Sequence, residues 1–92
     1  MNYVVIHHFI KENITREMMN PHVDYLKVLF ENGKLIITGP FIDEKKGGMF
    51  ILDVKDAEEL HEIVNNDPAI IEGHARAEIR PYQIVFSKIE LG

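Results

Sequence analysis

Histidine and acidic side chains are the groups in this 92-residue sequence that could transfer protons near neutral pH. His22 follows Asn20-Pro21 in the segment "NPHVDYL", and Asp67 precedes a proline in "NNDPAIIEG". Asn20 as N-cap and Pro21 as first helical residue would place His22 in a first helical turn. The helix dipole disfavours a protonated imidazole there, and a neutral imidazole can act as a general base.

Asp67 is the carboxylate that could assist His22, because an aspartate hydrogen-bonded to a histidine orients the ring and stabilises its cationic form. Each residue also has an ordinary structural interpretation. A first-turn histidine is commonly a polar residue facing solvent, and an aspartate before proline is a common helix N-cap. A capping aspartate still has a second oxygen to offer His22. The residue types alone leave both interpretations open, and a functional role for Asp67 depends on whether the fold brings it beside His22.

His7 and His8 are neighbours in an apolar, β-branched segment that is typical of a strand. Their side chains must point to opposite faces of a sheet, so they cannot both bind one metal ion. One of the two is expected to face a cleft and contact substrate. The chain contains no cysteine, and its histidines lack the spacing of metal ligands. We therefore predict neither a metal site nor a cofactor.

Three further residues are candidates for substrate binding. Arg80 and Tyr82 share a face of the last predicted strand with Arg76 and could hold an anionic group. Alternatively, the two arginines pair with Glu78 and with a partner subunit. Gly39 could let a ligand approach the backbone, although glycine at this position also suits a turn.

The elements that must position these residues follow from hydrophobic periodicity. Strands are predicted over 2–10, 35–42, 48–54 and 74–89, the last interrupted by a proline. An amphipathic helix is predicted from Asn20 to the Asn32-Gly33 step, with residues 15–19 as a possible earlier turn, and a second helix follows the cap Asp56. A short helical turn follows Asp67. The order β-α-β-β-α-β predicts an α+β, ferredoxin-like sandwich, in which two helices cover one face of a four-stranded antiparallel sheet.

The other face of that sheet would be uncovered. Along the last strand, small apolar residues expected on the helix side alternate with polar residues expected on the open side: Ala75, Ala77 and Ile79 against Arg76, Glu78 and Arg80. A mixed open face on so short a chain needs a cover. We therefore predict a homodimer that packs sheet to sheet and encloses a cavity.

Length and charge limit the broad class of protein. The chain is long enough for one domain, over residues 1–92. A net charge of -5 with scattered basic residues argues against nucleic acid as a partner. The N-terminal segment lacks the basic start of a signal peptide, and no apolar run could span a bilayer. We expect a cytoplasmic protein that does not bind membranes.

Three segments together resemble the YCII-related (YciI-like) family: "PHVDYLKVLFENGKLIITGPF", "GGMFILDV" and "NNDPAIIEGHARAEIRPYQIV". The resemblance covers nearly the whole chain. It implies a dimeric α+β barrel that is related in fold to muconolactone isomerase and chloromuconolactone dehalogenase. It also implies that His22 and Asp67 are the functional pair.

The expected function is therefore that of a small-molecule enzyme without a cofactor. The His22–Asp67 pair would act by general acid–base chemistry on a carboxylate- or lactone-type substrate, with isomerisation or elimination as the reaction. The alternative is a non-catalytic dimeric domain that binds a small ligand or serves as an accessory unit. The absence of a strong nucleophile, metal or cofactor motif motivates that alternative.

Overall fold

The structure is a computed structural model and describes residues 1–88. Its elements in chain order are β1 (Asn2–Phe9), α1 (Arg16–Glu31), β2 (Leu35–Pro40), β3 (Gly48–Asp53), α2 (Ala57–Asn65), α3 (Pro68–Ile71) and β4 (Ala75–Tyr82). The strands form one four-stranded antiparallel sheet in the order β2-β3-β1-β4. The predicted α+β, ferredoxin-like architecture is confirmed.

The start of α1 differs from the predicted start at Asn20-Pro21 and agrees with the possible earlier turn over residues 15–19. The helix begins at Arg16, because the Thr15 hydroxyl caps it by accepting a hydrogen bond from the Met18 N–H at 3.2 Å. Pro21 therefore lies inside the helix, where it removes one backbone donor. His22 lies about two turns beyond the start, outside the first turn in which the helix dipole acts. The prediction that His22 occupies a first turn is wrong, and the dipole argument for its neutrality does not apply.

The C-terminal end of α1 lies where the sequence predicts it. Asn32 is the C-cap, and Gly33 follows with a φ of +76°, a left-handed conformation that favours glycine. The next helix also begins as predicted, because the Asp56 carboxylate accepts a hydrogen bond from the Glu59 N–H at 2.8 Å.

Strand β4 is shorter than predicted. It ends at Tyr82, which pairs with Asn2 at the very start of β1. Among the described residues, β1 is the only neighbour of this edge strand, so residues 83–88 have no strand to pair with. Pro81 is tolerated inside β4 because an edge strand leaves one row of donors unpaired. Residue 89, the last of the predicted strand, lies outside the described residues.

The two faces of the sheet have different surroundings. A buried apolar cluster joins one face to the helices; its members are Val5, Leu26, Leu29, Leu35, Phe50, Leu52, Val54, Leu60, Ile63 and Val64. Ala77 and Ile79 of β4 pack against this cluster, as predicted, and His7 shares its side of β1 with Val5. On the opposite face, strand alternation places apolar residues as well, namely Val4, Ile6 and Ile51.

Among the described residues, no helix combines the length and the apolar character needed to cross a membrane.

Candidate active site

A buried cluster of two histidines and one aspartate forms where β1, α1 and α3 meet. Asp67 is the N-cap of α3 and is only 1% exposed. Its carboxylate accepts a hydrogen bond from the Nδ1–H of His22, with Nδ1 2.8 Å from Oδ1 and 2.9 Å from Oδ2. His22 and Asp67 are 45 residues apart in the sequence, and α1 and the start of α3 bring them into direct contact.

Asp67 both caps a helix and holds a histidine. The residue Pro68 favours the extended conformation of Asp67 and fits the first position of α3. The Asp67 Oδ1 then accepts the backbone N–H of Ala69 at 2.9 Å, in addition to the bond from His22. Among the described residues, no lysine or arginine forms an ion pair with this carboxylate, so histidine rings are its only potential cationic partners.

His7 completes the cluster. Its Nε2 lies 3.6 Å from Oδ2 of Asp67, and its ring is 5.0 Å from the His22 ring and 5.2 Å from the Phe50 ring, between centroids. The side chain is 3% exposed, and neither ring nitrogen has a hydrogen-bond partner. Burial lowers the pKa of His7 to about 4, because the loss of hydration outweighs the attraction of Asp67. His7 is therefore neutral at pH 7.

A cavity of about 580 Å³ opens beside the two histidines, between α1 and the β2–β3 hairpin. Most of its lining is apolar: Phe9, Met19, Val23, Leu26, Phe30, Leu35, Pro40, Met49 and Phe50. Four polar or charged side chains also line it, namely His7, His22, Thr38 and Lys27. The volume falls within the range of small-molecule sites, which are mostly apolar with a few placed polar groups.

The glycine-rich turn before β3 forms the end of this cavity nearest β1. Gly47 has a φ of +82°, and a Cβ at this position would lie 2.3 Å from the backbone oxygen of His7. Only glycine therefore allows the turn to pack this closely against the strand that carries His7.

The structure separates the residues that the sequence predicted for substrate binding. His7 and Gly39 line the cavity together with His22. His8 lies on the opposite sheet face, where its Nε2 is 2.9 Å from Oε1 of Glu78. By strand alternation, Arg80 and Tyr82 share that face, and neither lines the cavity.

His7, His22 and Asp67 could also hold a metal ion, since one ligand atom from each lies within 4.8 Å of the others. Two histidines and a carboxylate suit several divalent metals. The sequence gives no indication of this arrangement, because the three residues come from separate elements without a spacing pattern.

Several lining residues were not predicted from the sequence as functional. Met19, Val23, Leu26 and Phe30 form the apolar stripe of the amphipathic helix α1. All four line the cavity, and Val23 and Phe30 are 56% and 60% exposed, so these two border the cavity without packing in the core. The only sequence feature that could have indicated a cavity here is the length of the stripe, and this length does not distinguish a cavity wall from a core. Nothing in the sequence indicates that Thr38 and Lys27 line a cavity.

Comparisons with known proteins agree with the fold described above. A solved structure of similar fold is the 5-chloro-2-hydroxyhydroquinone dehydrochlorinase TftG from Burkholderia phenoliruptrix AC1100, in complex with 2,5-dihydroxybenzoquinone. The two chains share 16% sequence identity at a TM-score of 0.72, over 90% of this chain and 94% of that one. No curated protein sequence matches this chain. A model of the YCII-related domain matches residues 1–83, and the chain therefore belongs to the YCII-related family.

Proposed function

We propose that this protein is a cofactor-independent enzyme that acts on a small molecule, with His22 as general acid–base and Asp67 as the residue that positions it. The observation that carries the proposal is the short hydrogen bond between the His22 Nδ1 and the buried Asp67 carboxylate, at the wall of an apolar cavity.

The hydrogen bond defines the form of His22 that would react. A carboxylate accepts hydrogen bonds only, so the neutral imidazole carries its proton on Nδ1. The Nε2 then has the free lone pair, and His22 lines the cavity. A substrate proton taken by Nε2 would leave an imidazolium whose charge Asp67 stabilises. General acid–base catalysis of this kind contributes about 10²- to 10⁴-fold in rate.

The reaction class that fits is removal of a proton from a carbon beside a carbonyl group, or from the hydroxyl group of the corresponding enol. The electron pair of the broken C–H or O–H bond would then shift within the substrate, and His22 would return the proton at another carbon, which is isomerisation. Where the neighbouring carbon carries a halide, the same electron pair would expel the halide ion, which is elimination. The similarity in fold to a dehydrochlorinase supports this class. A carboxylate- or lactone-type substrate is the expectation from the sequence.

The proposal includes a homodimer. The sheet face opposite the helices carries Val4, Ile6 and Ile51 in its central strands and polar residues along β4. Packing of this face against a second copy would remove the apolar strip from water. The cytoplasmic location expected from the sequence also remains a proposal.

Proton abstraction can be tested without the natural substrate. The probe is α-angelica lactone, a β,γ-unsaturated lactone, incubated with the protein in D₂O while NMR follows deuterium uptake and double-bond migration. We expect wild type to accelerate both processes over buffer, and His22→Gln to lose at least about 100-fold of that acceleration. Asp67→Asn should lose tenfold or more, and it should remain folded because asparagine is also a good N-cap.

His61→Gln is the matched control, because His61 is an exposed histidine on α2, away from the cluster. It should retain the wild-type rate. Equal rates for wild type and His22→Gln would overturn the enzyme proposal and favour the ligand-binding alternative.

A further inference from the structure

The polar groups that a molecule in the cavity could reach are few. Both ring nitrogens of His7 are enclosed by protein, so the occupant cannot hydrogen-bond to them. The Thr38 hydroxyl already donates to the Met49 carbonyl at 3.2 Å. Lys27 is exposed and lies at the rim. His22 is thus the main polar side chain at the inner end of the cavity.

The charge around His22 disfavours an anion at this position. The Asp67 carboxylate lies directly behind the ring, at 2.8 Å from its Nδ1, and no lysine or arginine among the described residues pairs with it. His7 stays neutral because burial lowers its pKa to about 4. A second carboxylate placed against the His22 Nε2 would lose its hydration in an apolar cavity and face the charge of Asp67.

The two residues that sequence reasoning assigned to an anionic substrate do not offset this effect. Arg80 and Tyr82 lie on the other face of the sheet and contribute nothing to the cavity lining. Lys27 could attract an anion only to the rim, since its ammonium group extends from an exposed position of α1. A fixed positive charge is therefore missing where the occupant meets His22, as far as the described residues go.

The hydrogen-bonding state of His22 selects the complementary group. With Nδ1 donating to Asp67, the neutral ring presents Nε2 as an acceptor. An acceptor in an apolar cavity is satisfied by a hydroxyl donor, whereas an ether or a carbonyl oxygen offers it no hydrogen. The apolar walls formed by residues such as Phe30, Leu26 and Phe50 suit the rest of the molecule.

We propose that the cavity binds an uncharged, largely apolar molecule that donates one hydroxyl group, as an alcohol, phenol or enol, to the Nε2 of His22. This specifies the substrate class of the site described under the proposed function and rests on that function. Of the two substrate types expected from the sequence, it excludes the carboxylate and admits a lactone only in a form that carries a hydroxyl group, such as its enol.

Three probes with the same apolar body test the inference: 4-propylphenol, 4-propylanisole and 4-propylbenzoate. Their dissociation constants would be measured at pH 7 by NMR titration of the full-length protein, with backbone amide shifts locating the site. We expect 4-propylphenol to bind at least tenfold more tightly than the other two, with shifts at the cavity residues. His22→Phe should remove the preference for the phenol over the anisole.

Two substitutions separate the causes of anion exclusion. Asp67→Asn removes the charge behind the ring and should strengthen 4-propylbenzoate binding severalfold. Lys27→Gln removes the rim charge and should leave the preference for the phenol over the benzoate in place. If Asp67→Asn fails to fold, the comparison of the three probes in wild type still decides the matter.

Equal or tighter binding of the benzoate in wild type would overturn the inference, as would ligand shifts confined to the sheet face around Arg80. Failure of the proposed function is a separate outcome. Phenol binding at the cavity without any lactone exchange would refute the enzyme and leave the ligand class standing. Lactone exchange together with tighter binding of 4-propylbenzoate would refute the ligand class and leave the enzyme proposal standing.

Discussion

Replacement of His7 by leucine should remove a specific part of the protein's sensitivity to acid. The folded protein keeps this histidine neutral, with its pKa lowered from 6.5 to about 4, because burial disfavours the charged ring. The unfolded chain binds a proton at the same residue as soon as the pH falls below about 6.5. The stabilisation is therefore fully present above pH 6.5 and is lost as the pH falls towards 4.

The expected size of this effect follows from the shift. One pKa unit corresponds to about 1.4 kcal/mol, so the whole difference amounts to roughly 3 kcal/mol in the free energy of unfolding. Between pH 7 and pH 5, His7 alone should account for a loss of roughly 2 kcal/mol by the same linkage. For a domain of this size, a change of that magnitude is a large fraction of the total stability.

Urea unfolding followed by circular dichroism at pH 7 and pH 5 measures the effect. Wild type should lose about 2 kcal/mol more between these two conditions than His7→Leu does. The comparison cancels the other titrating groups that both proteins share. His61→Gln removes an exposed histidine and should behave like wild type. If His7→Leu and wild type lost the same free energy, the buried neutral state of His7 would be refuted.

The glycine-rich turn before β3, the open sheet face and the candidate metal-binding cluster can each be tested in the same way. Gly47→Ala should destabilise the protein by more than about 2 kcal/mol in the same urea assay, because its Cβ would meet the His7 backbone oxygen. The control Gly33→Ala places its Cβ in open space and should cost about 1 kcal/mol. Equal costs for the two variants would contradict the packing of the turn against β1. Ile6→Lys should convert the proposed homodimer into a monomer in analytical ultracentrifugation. The control Glu58→Lys, on the exposed side of α2, should leave the homodimer intact. A wild-type protein that is already monomeric would refute the proposed interface on the open sheet face. Lactone exchange should survive removal of metals with EDTA, and loss of exchange that zinc restores would assign His7, His22 and Asp67 to a metal centre.

The order of elements was predictable because each one has a local cause. Asp56 caps α2, Gly33 terminates α1, and strand alternation along β4 separates the helix side from the open side. The start of α1 was not predictable in this way. Thr15 and Asn20-Pro21 are both acceptable helix starts, and local rules do not decide between them. The structure uses Thr15 and accepts the loss of one backbone hydrogen bond at Pro21.

The candidate site was less accessible to sequence reasoning than the fold. The contact between His22 and Asp67 depends on how α1 and α3 pack, and residues 45 positions apart carry no local signal of such a contact. Only the resemblance to the YCII-related family paired them. The choice between His7 and His8 depends on which face of β1 the helices cover, and Val5 beside His7 in the core decides it. The cavity could not be predicted from the sequence, because the same apolar stripe of α1 contributes both to the cavity wall and to the core.

The proposed function requires Asp67 to hold His22 with its Nε2 free for a substrate. Long-range ¹H–¹⁵N correlation NMR of the histidine rings reports which nitrogen carries the proton in the neutral form. We expect neutral His22 to be protonated on Nδ1, and we expect Asp67→Asn to alter this state while His61→Gln does not. A neutral His22 with its proton on Nε2 would contradict the proposed role of Asp67, because the ring could then neither donate to Asp67 nor accept a proton from the cavity.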